Sequence, residues 1–527
     1  MTRRPPLYDC IVVGAGSAGG ILAARLTEDP ARSVLLLEAG PDYPDPAKMP
    51  DAVKYGYGLD RNIWVRAFGE KSPHNWAFNA RATDSNTNMT VPRGKVVGGS
   101  SAINAQIFLR GIPEDYDAWE AAGNRGWSHR DLLPFLRRIE SDTAFPGDFH
   151  GTDGPIPVRR WTRSEWNADQ AAFYDGCVEL GFAQAPDQND PDATGISPTP
   201  LNNRDGIRWS TALTYLQPAR PRLNLTIRAD CLVHRVLFDG RRAVGVLAES
   251  GDETFEVFGR EIVLSAGAIG SPHILLLSGV GPRADLAKFG ADSVVDLPGV
   301  GQNLRDHPQV QVTWRTRPGF RQDPLAAKIQ VAVRYTATRS KLRNDVFIHP
   351  LSYAPESGIY TISSGEAVGV GMIAALYLAA GSGSLHLGSI DPHVQPVLDY
   401  NYFVEPSDRA RMREAVRLCL KIAETTAYRR FIGERIDPTD ADLASDQALD
   451  AWLMRSVRTS HHISSTCKMG PRSDRMAVVD SEGRVHGLEG LRVADASIMP
   501  DCVRANTNVT SLVIGERVAD FMRLRAR

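Results

Sequence analysis

The sequence predicts an α/β fold, in which a Rossmann-like domain with a parallel sheet carries an inserted α+β domain built on an antiparallel sheet. Three observations lead to this expectation. The chain begins with a strand, a glycine-rich turn and a helix, and similar sequence patterns occur near the middle and at the end. Between these pieces, alternating strands and Gly/Pro turns fill 309–402. We therefore expect the Rossmann-like domain to be assembled from separate pieces of chain.

The first forty residues carry a dinucleotide-binding pattern. An apolar strand leads into Gly14, Gly16 and Gly19, a helix follows at 18–26, and the next strand ends at Glu38. The first glycine permits a tight turn, the second lets the backbone approach a pyrophosphate, and the third allows close packing of helix and strand. The helix N terminus offers unpaired N–H groups to phosphates, and Glu38 is placed to accept a hydrogen bond from a ribose hydroxyl.

The later elements follow the same alternation of domains. Their predicted order is a strand-rich segment at 223–246, a buried strand from 261, strands at 309–402, a helix at 408–424, a strand at 491–494 and a helix at 509–524. We expect the Rossmann-like domain to take 1–155, 216–308 and 461–527, and the inserted domain to take 156–215 and 309–460.

Composition narrows the class of protein. The chain has 527 residues, of which 43% are hydrophobic and 23% charged, as in a globular enzyme with a large core. A net charge of −2 argues against nucleic acid or an anionic membrane as the main partner. No targeting segment or apolar membrane span is recognisable, so a cytoplasmic enzyme is expected, and its oligomeric state stays open. The six cysteines lack metal-ligand or disulfide spacing, and no metal site is predicted.

Two further glycine-rich segments point to a bound ligand. In the first, at 94–104, Ser100, Ser101 and Asn104 supply hydrogen-bonding groups where glycines let the backbone come close. The second lies at 267–281. Together they resemble the paired signatures of the glucose–methanol–choline (GMC) oxidoreductase family, flavoproteins that bind FAD and oxidise alcohols.

The resemblance covers nearly the whole chain. Five more stretches match in the family's order, at 8–40, 150–155, 299–308, 462–470 and 491–500. The resemblance implies a GMC fold, with an FAD-binding Rossmann-like domain and a substrate domain built on an antiparallel sheet.

The resemblance also implies how FAD is bound. The N-terminal glycine turn would hold the pyrophosphate, and Glu38 would bind the adenosine ribose. Val233 would contact adenine through its backbone, Asn104 would lie beside the isoalloxazine ring, and Asp495 would lie near the pyrophosphate. Some members link FAD covalently through a histidine where this chain has Ile103, so non-covalent FAD is expected. The complete implied set is Gly14, Gly16, Ser17, Ala18, Gly19, Glu38, Ala39, Arg93, Val97, Gly98, Gly99, Ser100, Asn104, Ala105, Val233, Ala266, Asp495, Ala496, Asn506, Asn508 and Val509.

A catalytic pair, His462 and Asn506, is implied by the resemblance of segments 461–470 and 505–510 to the family's catalytic motifs. The segment 461–470 resembles the family's histidine motif, and its Thr-Cys-Lys-Met-Gly tail selects His462 rather than His461. An alcohol must lose its O–H proton to a base as hydride passes to flavin N5, and imidazole suits that task near neutral pH. Asn506 would orient the hydroxyl by hydrogen bonding.

Other polar residues near these motifs have a structural interpretation. His461 is expected to be a pocket wall, Asp306 and His307 to hold a turn under the flavin, and His273 to be a hydrogen-bonded structural histidine. Cys467 is expected to be a small core residue, because hydride chemistry needs no activated thiolate.

Gln309 bears on the substrate. Choline oxidases of the family place a carboxylate directly after the Asp-His-Pro triplet, where this chain has Gln309. A buried cation without a counter-charge is costly, so choline is disfavoured unless Glu356 or Glu366 reaches the pocket. The expected reaction is oxidation of a neutral primary alcohol, aryl or aliphatic, to the aldehyde, with oxygen or another electron acceptor.

Two alternatives stay open. The overall resemblance is to the bacterial choline dehydrogenase-like branch, so a choline-type dehydrogenase is the first. A lyase on the same fold, of the hydroxynitrile lyase or fatty-acid photodecarboxylase type, is the second. Trp64, Trp76 and Phe78 are expected either in the core or at the substrate entrance.

Overall fold

A computed structural model describes residues 8–58, 63–320, 325–354 and 369–524 of the chain. Two acids weighed above, Glu356 and Glu366, lie outside the described residues, and so does the side chain of Trp64.

Helices surround the two main sheets. They are α1 (Ser17–Leu26), α2 (Asp51–Lys54), α3 (Ile63–Phe68), α4 (Pro113–Ala121), α5 (His129–Ile139), α6 (Ala168–Glu179), α7 (Gln217–Ala219), α8 (Gly267–Leu277), α9 (Arg283–Ala287), α10 (Pro406–Glu424), α11 (Asp440–Leu443), α12 (Asp446–Ser456) and α13 (Thr507–Leu524).

The strands of the described residues follow in chain order. They are β1 (Tyr8–Val13), β2 (Val34–Leu37), β3 (Phe78–Ala80), β4 (Met89–Val91), β5 (Glu140–Asp142), β6 (Ile156–Val158), β7 (Gly195–Pro198), β8 (Asn203–Arg204), β9 (Ile207–Arg208), β10 (Leu225–Arg228), β11 (Leu232–Asp239), β12 (Arg242–Ser250), β13 (Glu253–Leu264), β14 (Val280–Gly281), β15 (Val295–Asp296), β16 (Pro308–Thr316), β17 (Val331–Tyr335), β18 (Val346–Ala354), β19 (Gly369–Leu376), β20 (Ser384–His386), β21 (Val397–Asp399), β22 (Ile432–Asp437), β23 (Arg458–Thr459) and β24 (Leu491–Val493).

The first sheet has the order β10-β2-β1-β13-β12-β11, with β24 also paired to β13. Strands β10, β2, β1, β13 and β24 pair in parallel, whereas β12 pairs antiparallel with both β11 and the first half of β13. The apolar side chains of β2 are buried throughout, as expected for a parallel sheet covered on both faces. Helix α1 packs on β1 and β2 of this sheet, and α13 packs on α1. This arrangement confirms the predicted Rossmann-like domain.

The second sheet is antiparallel and has the order β22-β16-β19-β18-β17-β7, with β23 also paired to β16. Helices α6 and α10 cover it, α6 on β17 and β18 and α10 on β18 and β19. All eight residues of β19 are buried, because this strand lies inside the sheet and beneath a helix. The predicted antiparallel sheet is confirmed.

Several element boundaries differ from those predicted. Helix α10 begins at Pro406 rather than at 408, because proline is favoured in a first helical turn, where its missing N–H has no intrahelical partner. Strand β13 begins at Glu253 rather than at 261, because its first half pairs with β12. The residue boundaries of the five predicted domain segments remain predictions. None of the described helices is both long enough and apolar enough to cross a membrane.

Candidate active site

A cavity of about 520 Å³ is lined by residues from both sheets. From the first sheet come Val233 of β11 and the residues Gly14 and Glu38, which directly follow β1 and β2. From the second come Gln309 of β16 and Tyr377, which directly follows β19. A cavity between two sheets of one chain is a common place for a cofactor to meet a substrate.

Two glycine turns form a backbone cradle in this cavity. Gly14 has a φ of +97°, and a Cβ there would lie 2.5 Å from the Ser265 carbonyl oxygen. Gly99 has a φ of +52°, and a Cβ there would lie 2.6 Å from Gly16 Cα. The Gly98 N–H donates to the Ala15 carbonyl at 2.8 Å, which holds the two turns together. A side chain at either position would push apart backbone segments that pack directly on each other, so glycine keeps both turns close together. Because Gly14, Gly16 and Gly99 all line the cavity, the cradle fits the phosphates of FAD.

Glu38 projects from the end of β2 beside this cradle. Its carboxylate accepts hydrogen bonds from the Ala15 N–H at 2.9 Å and the Gly40 N–H at 3.0 Å. Burial raises the pKa of Glu38 to about 7, against the lowering effect of these backbone donors. A carboxylate offers about four acceptor positions, so the group keeps capacity for a ribose hydroxyl.

Asp495 anchors the opposite part of the cradle at the start of α8. It accepts from the Gly267 N–H at 2.9 Å, the Ser271 hydroxyl at 2.5 Å and the Ser497 N–H at 2.8 Å. Burial raises its pKa, although these donors favour the ionised form. Through these bonds Asp495 holds the first turn of α8 against the cavity.

Most residues of the implied FAD set line this cavity, together with His461 and His462. Four members of the set are not among the described lining residues. They are Gly19, Val97, Gly98 and Val509. Gly19 instead lets α1 pack closely on β1, because a Cβ at this position would lie 1.9 Å from the Gly14 carbonyl oxygen.

His462 lies just beyond β23 and is buried. Its Nε2 is 2.9 Å from Asn506 Nδ2, and its Nδ1 is 2.9 Å from His307 Nδ1. Burial lowers the pKa of His462 well below its ordinary value, and the neighbouring His307, His461 and Arg93 lower it further. The imidazole is therefore neutral at rest and able to accept a proton.

The hydrogen-bond partners define which nitrogen of His462 carries its proton. Because the Asn506 amide nitrogen can only donate, His462 Nε2 is the acceptor and Nδ1 carries the hydrogen. The Nδ1–H then donates to His307 Nδ1, which leaves the hydrogen of His307 on Nε2, 3.3 Å from Cys502 Sγ. Burial lowers the pKa of His307 to about 3, which keeps it neutral and able to accept.

Asp306 positions both histidines through their backbones. Its buried carboxylate accepts from the N–H groups of His307 at 2.7 Å and His462 at 2.9 Å. The hydroxyls of Tyr402, at 2.8 Å, and Thr459 also donate to it. The sequence interpretation assigned Asp306 and His307 to a turn, but it missed the direct contact between the His307 and His462 rings, which no local pattern records.

The wall of the cavity near His462 is mostly apolar and aromatic. The ring of Tyr377 stacks on His307 at 4.2 Å and on Phe347 at 4.7 Å. Gln309 is buried there, with its amide nitrogen donating to the Thr459 carbonyl at 3.0 Å. The remaining lining side chains of this region include Ile103, Ile329, His349, Trp76 and Phe78.

Carboxylates are scarce in this cavity. Among the described residues that line it, the acids are Glu38 and Asp495, and both are bonded to backbone groups of the glycine cradle. The aromatic wall near His462 therefore has no counter-charge for a cation within the described residues.

A Rossmann-like sheet with a phosphate cradle, joined to a buried neutral histidine, defines a dinucleotide-dependent oxidoreductase. Two models of the GMC oxidoreductase family match the chain, over residues 8–309 and 379–515. The chain belongs to the GMC oxidoreductase family. It is an FAD-dependent oxidoreductase that acts on CH–OH groups, as the sequence resemblance implied.

Individual relatives span almost the full chain. The oxygen-dependent choline dehydrogenase of Serratia proteamaculans is 37% identical over 98% of this chain and 96% of its own. The mitochondrial choline dehydrogenase of Homo sapiens is 36% identical over 98% of this chain and 90% of its own. Among solved structures, pyridoxine 4-oxidase from Mesorbium loti is similar with a TM-score of 0.89 and 29% identity, covering 98% of this chain and 99% of that one.

Proposed function

We propose that the protein oxidises a neutral primary alcohol to the aldehyde, with His462 as the base, Asn506 as the orienting residue and non-covalently bound FAD. The observation that carries this proposal is the pair of contacts that leave a lone pair on His462 Nε2 beside Asn506 in the shared cavity. FAD, when bound, supplies the hydride acceptor.

His462 and Asn506 would together remove the proton of the alcohol O–H. An alcohol whose oxygen accepts the Asn506 N–H would take over that hydrogen bond from His462. Its own O–H would then donate to His462 Nε2, which takes the proton as the C–H bond breaks. The imidazolium that forms keeps its Nδ1–H bond to His307, so the positive charge develops next to a buried acceptor rather than next to apolar groups. Asp306 holds His307 and His462 next to each other by accepting hydrogen bonds from both of their backbone N–H groups.

The aromatic wall supports a neutral substrate. Phe347, Tyr377 and Gln309 offer apolar faces and an amide, whereas a quaternary ammonium group would be buried without a carboxylate among the described lining residues. A cation–π contact alone is worth about 2 kcal/mol when desolvated, less than the cost of an unpaired buried charge. Choline stays the second candidate, because relatives 37% and 36% identical to this chain are choline dehydrogenases.

Non-covalent binding of FAD is supported by the residue at the family's linking position. Ile103 lines the cavity with an aliphatic side chain, which has no atom able to bond to the flavin ring. A cytoplasmic location, expected from the sequence, belongs to the same proposal.

The test is an anaerobic stopped-flow screen of the purified yellow protein against neutral aryl and aliphatic alcohols, pyridoxine and choline. Bleaching of the flavin band near roughly 450 nm by a neutral alcohol is the expected result. Admission of air then separates an oxidase, which reoxidises fast, from a dehydrogenase that needs another acceptor. Bleaching by choline alone would overturn the substrate assignment, and His462→Ala should slow bleaching at least about 10²-fold.

A further inference from the structure

Three potential metal ligands from different parts of the chain meet beside the flavin cavity. His234 lies on β11, and Glu249 lies on the paired strand β12, where it is opposite Leu232. His393 lies in the 387–396 loop that joins β20 to β21. Glu249 Oε2 is 2.9 Å from His234 Nε2 and 3.2 Å from His393 Nε2. Imidazole nitrogen and carboxylate oxygen are the usual ligands of Zn²⁺ in proteins.

The distances from Glu249 to the two histidines suit one small divalent ion, and all three ligand atoms lie within 4.8 Å of one another. Two ligands of a tetrahedral zinc at about 2.05 Å lie about 3.3 Å apart, so the His234–Glu249 separation needs to widen by only about 0.4 Å. The side chains are 14% exposed at His234, 24% at Glu249 and 57% at His393, which leaves water access for the remaining coordination position.

The geometry of the pair itself is unusual. His234 Nε2 is buried and makes no hydrogen bond of acceptable angle within the described part of the chain, although the Glu249 oxygen lies 2.9 Å away. His234 Nε2 and Glu249 Oε2 therefore lie at contact distance with no hydrogen aligned between them. Two ligands of a shared metal ion have the same relationship.

A second cluster shows what a satisfied charge network looks like in this protein. Glu140, Asp142 and His150 also lie within ligand distance of one another. There, however, Arg110 binds Glu140 at 2.6 Å and Arg160 binds Asp142 at 2.6 Å, so guanidinium groups already neutralise the acids. No arginine or lysine pairs with Glu249 in the described ion pairs, which distinguishes the His234 site.

We propose that His234, Glu249 and His393 form a site for a divalent transition-metal ion, with Zn²⁺ as its probe, and that the bound ion clamps the 387–396 loop over the FAD cavity. Pro392, His393 and Gln395 of this loop line the same cavity as Val233, the residue directly before His234. An ion bound both by His393 of the loop and by His234 and Glu249 of strands β11 and β12 would resist opening of the loop. Release of FAD would then be slower with metal than without it.

The first experiment measures metal binding to the holoenzyme by isothermal titration calorimetry with ZnCl2 after dialysis against a chelator. We expect one ion per chain. His393→Ala and Glu249→Gln should each weaken binding at least about tenfold, since even indirect partners of a metal ligand are worth that much. The matched control is His386→Ala, which removes a histidine at the end of β20 that faces Asp285, and should bind as the wild type does.

A second experiment tests the clamp. The rate at which FAD leaves the diluted holoenzyme, followed by flavin fluorescence, should fall with Zn²⁺ in the wild type and in His386→Ala, but not in His393→Ala. Absent binding, or equal affinity in His393→Ala, would show that the cluster is an ordinary ion pair around Glu249. Binding that leaves FAD release unchanged would overturn the clamp. Neither readout depends on which alcohol the enzyme oxidises.

Discussion

Replacing His307 by phenylalanine tests the proton arrangement assigned to His462, the proposed base. His307 Nδ1 lies 2.9 Å from His462 Nδ1 and is the acceptor that keeps the hydrogen of His462 on that nitrogen. A phenylalanine retains an aromatic ring to stack on Tyr377, which lies 4.2 Å from the His307 ring, but it has no nitrogen to accept a hydrogen bond. The variant therefore removes the contact while keeping most of the packing.

The expected size of the effect follows from the burial of the pair. A buried N–H without an acceptor costs about 1–3 kcal/mol, and most of this cost falls on the transition state, in which proton uptake gives His462 a positive charge. At about 1.36 kcal/mol for each tenfold change in rate, the limiting rate of flavin reduction should fall about 5- to 150-fold. If His462 instead moves its hydrogen to Nε2, the lone pair that takes the alcohol proton is lost, and the rate falls in the same direction.

The measurement is anaerobic stopped-flow reduction with the best alcohol of the screen, on protein whose visible spectrum shows full FAD content. The limiting rate should fall, while the half-saturating alcohol concentration stays close to that of the wild type, because His307 contacts the base and not the substrate. Cys502→Ala is the matched control. It removes a weak sulfur partner 3.3 Å from the far nitrogen of His307 and should have a smaller effect. A His307→Phe enzyme with full FAD content and a wild-type rate would refute the assigned tautomer.

Four further outcomes are expected. Asn506→Ala should lower the limiting reduction rate about 10²-fold, and an unchanged rate would remove the amide from the mechanism. Acid precipitation should leave all flavin colour in the supernatant, because Ile103 cannot bond to the ring, and a coloured pellet would contradict this. Gly99→Ala, whose Cβ would lie 2.6 Å from Gly16 Cα, should yield protein depleted of FAD, as its absorption spectrum will show. The free energy of unfolding should fall as pH rises above neutrality, because of His150. Burial lowers the pKa of His150, but its hydrogen bonds to Asp187 and Glu140 outweigh burial and raise the pKa to about 9. This folded-state pKa lies above the unfolded value of about 6.5. That stabilisation is complete below pH 6.5 and is lost as pH rises through 9, so denaturant titrations at several pH values should show the decline in the wild type and much less of it in His150→Gln.

The elements of this fold were largely predictable because their signals are local. The sequence signals depend on neighbours a few residues away in three cases: the glycine turn at Gly14, the buried strand β2 and the position of Glu38 at its end. The structure has the turn, the strand and the acid at the predicted positions. Prediction was weaker at boundaries such as the start of β13, since pairing with β12 extends that strand beyond its most apolar part. The short elements α2, α3, β3 and β4 were not predicted from the sequence.

The resemblance to the GMC family supplied the expected cofactor and the pair His462 and Asn506, and the structure places these two side chains 2.9 Å apart. It did not supply the second contact of the base. His307 is 155 positions from His462, and its sequence context is equally compatible with a simple turn residue.

By itself, the sequence determined the two kinds of sheet, the phosphate-binding turn and the family. Only the tertiary structure decided which remote side chains share a site: His307 with His462, and His234 and Glu249 with His393. The physical reason is that backbone conformation is encoded by period and turn chemistry over a few residues. The distance between side chains on strands and loops that are remote in the chain depends on how those strands pair and how the loops pack, and no local pattern carries that information.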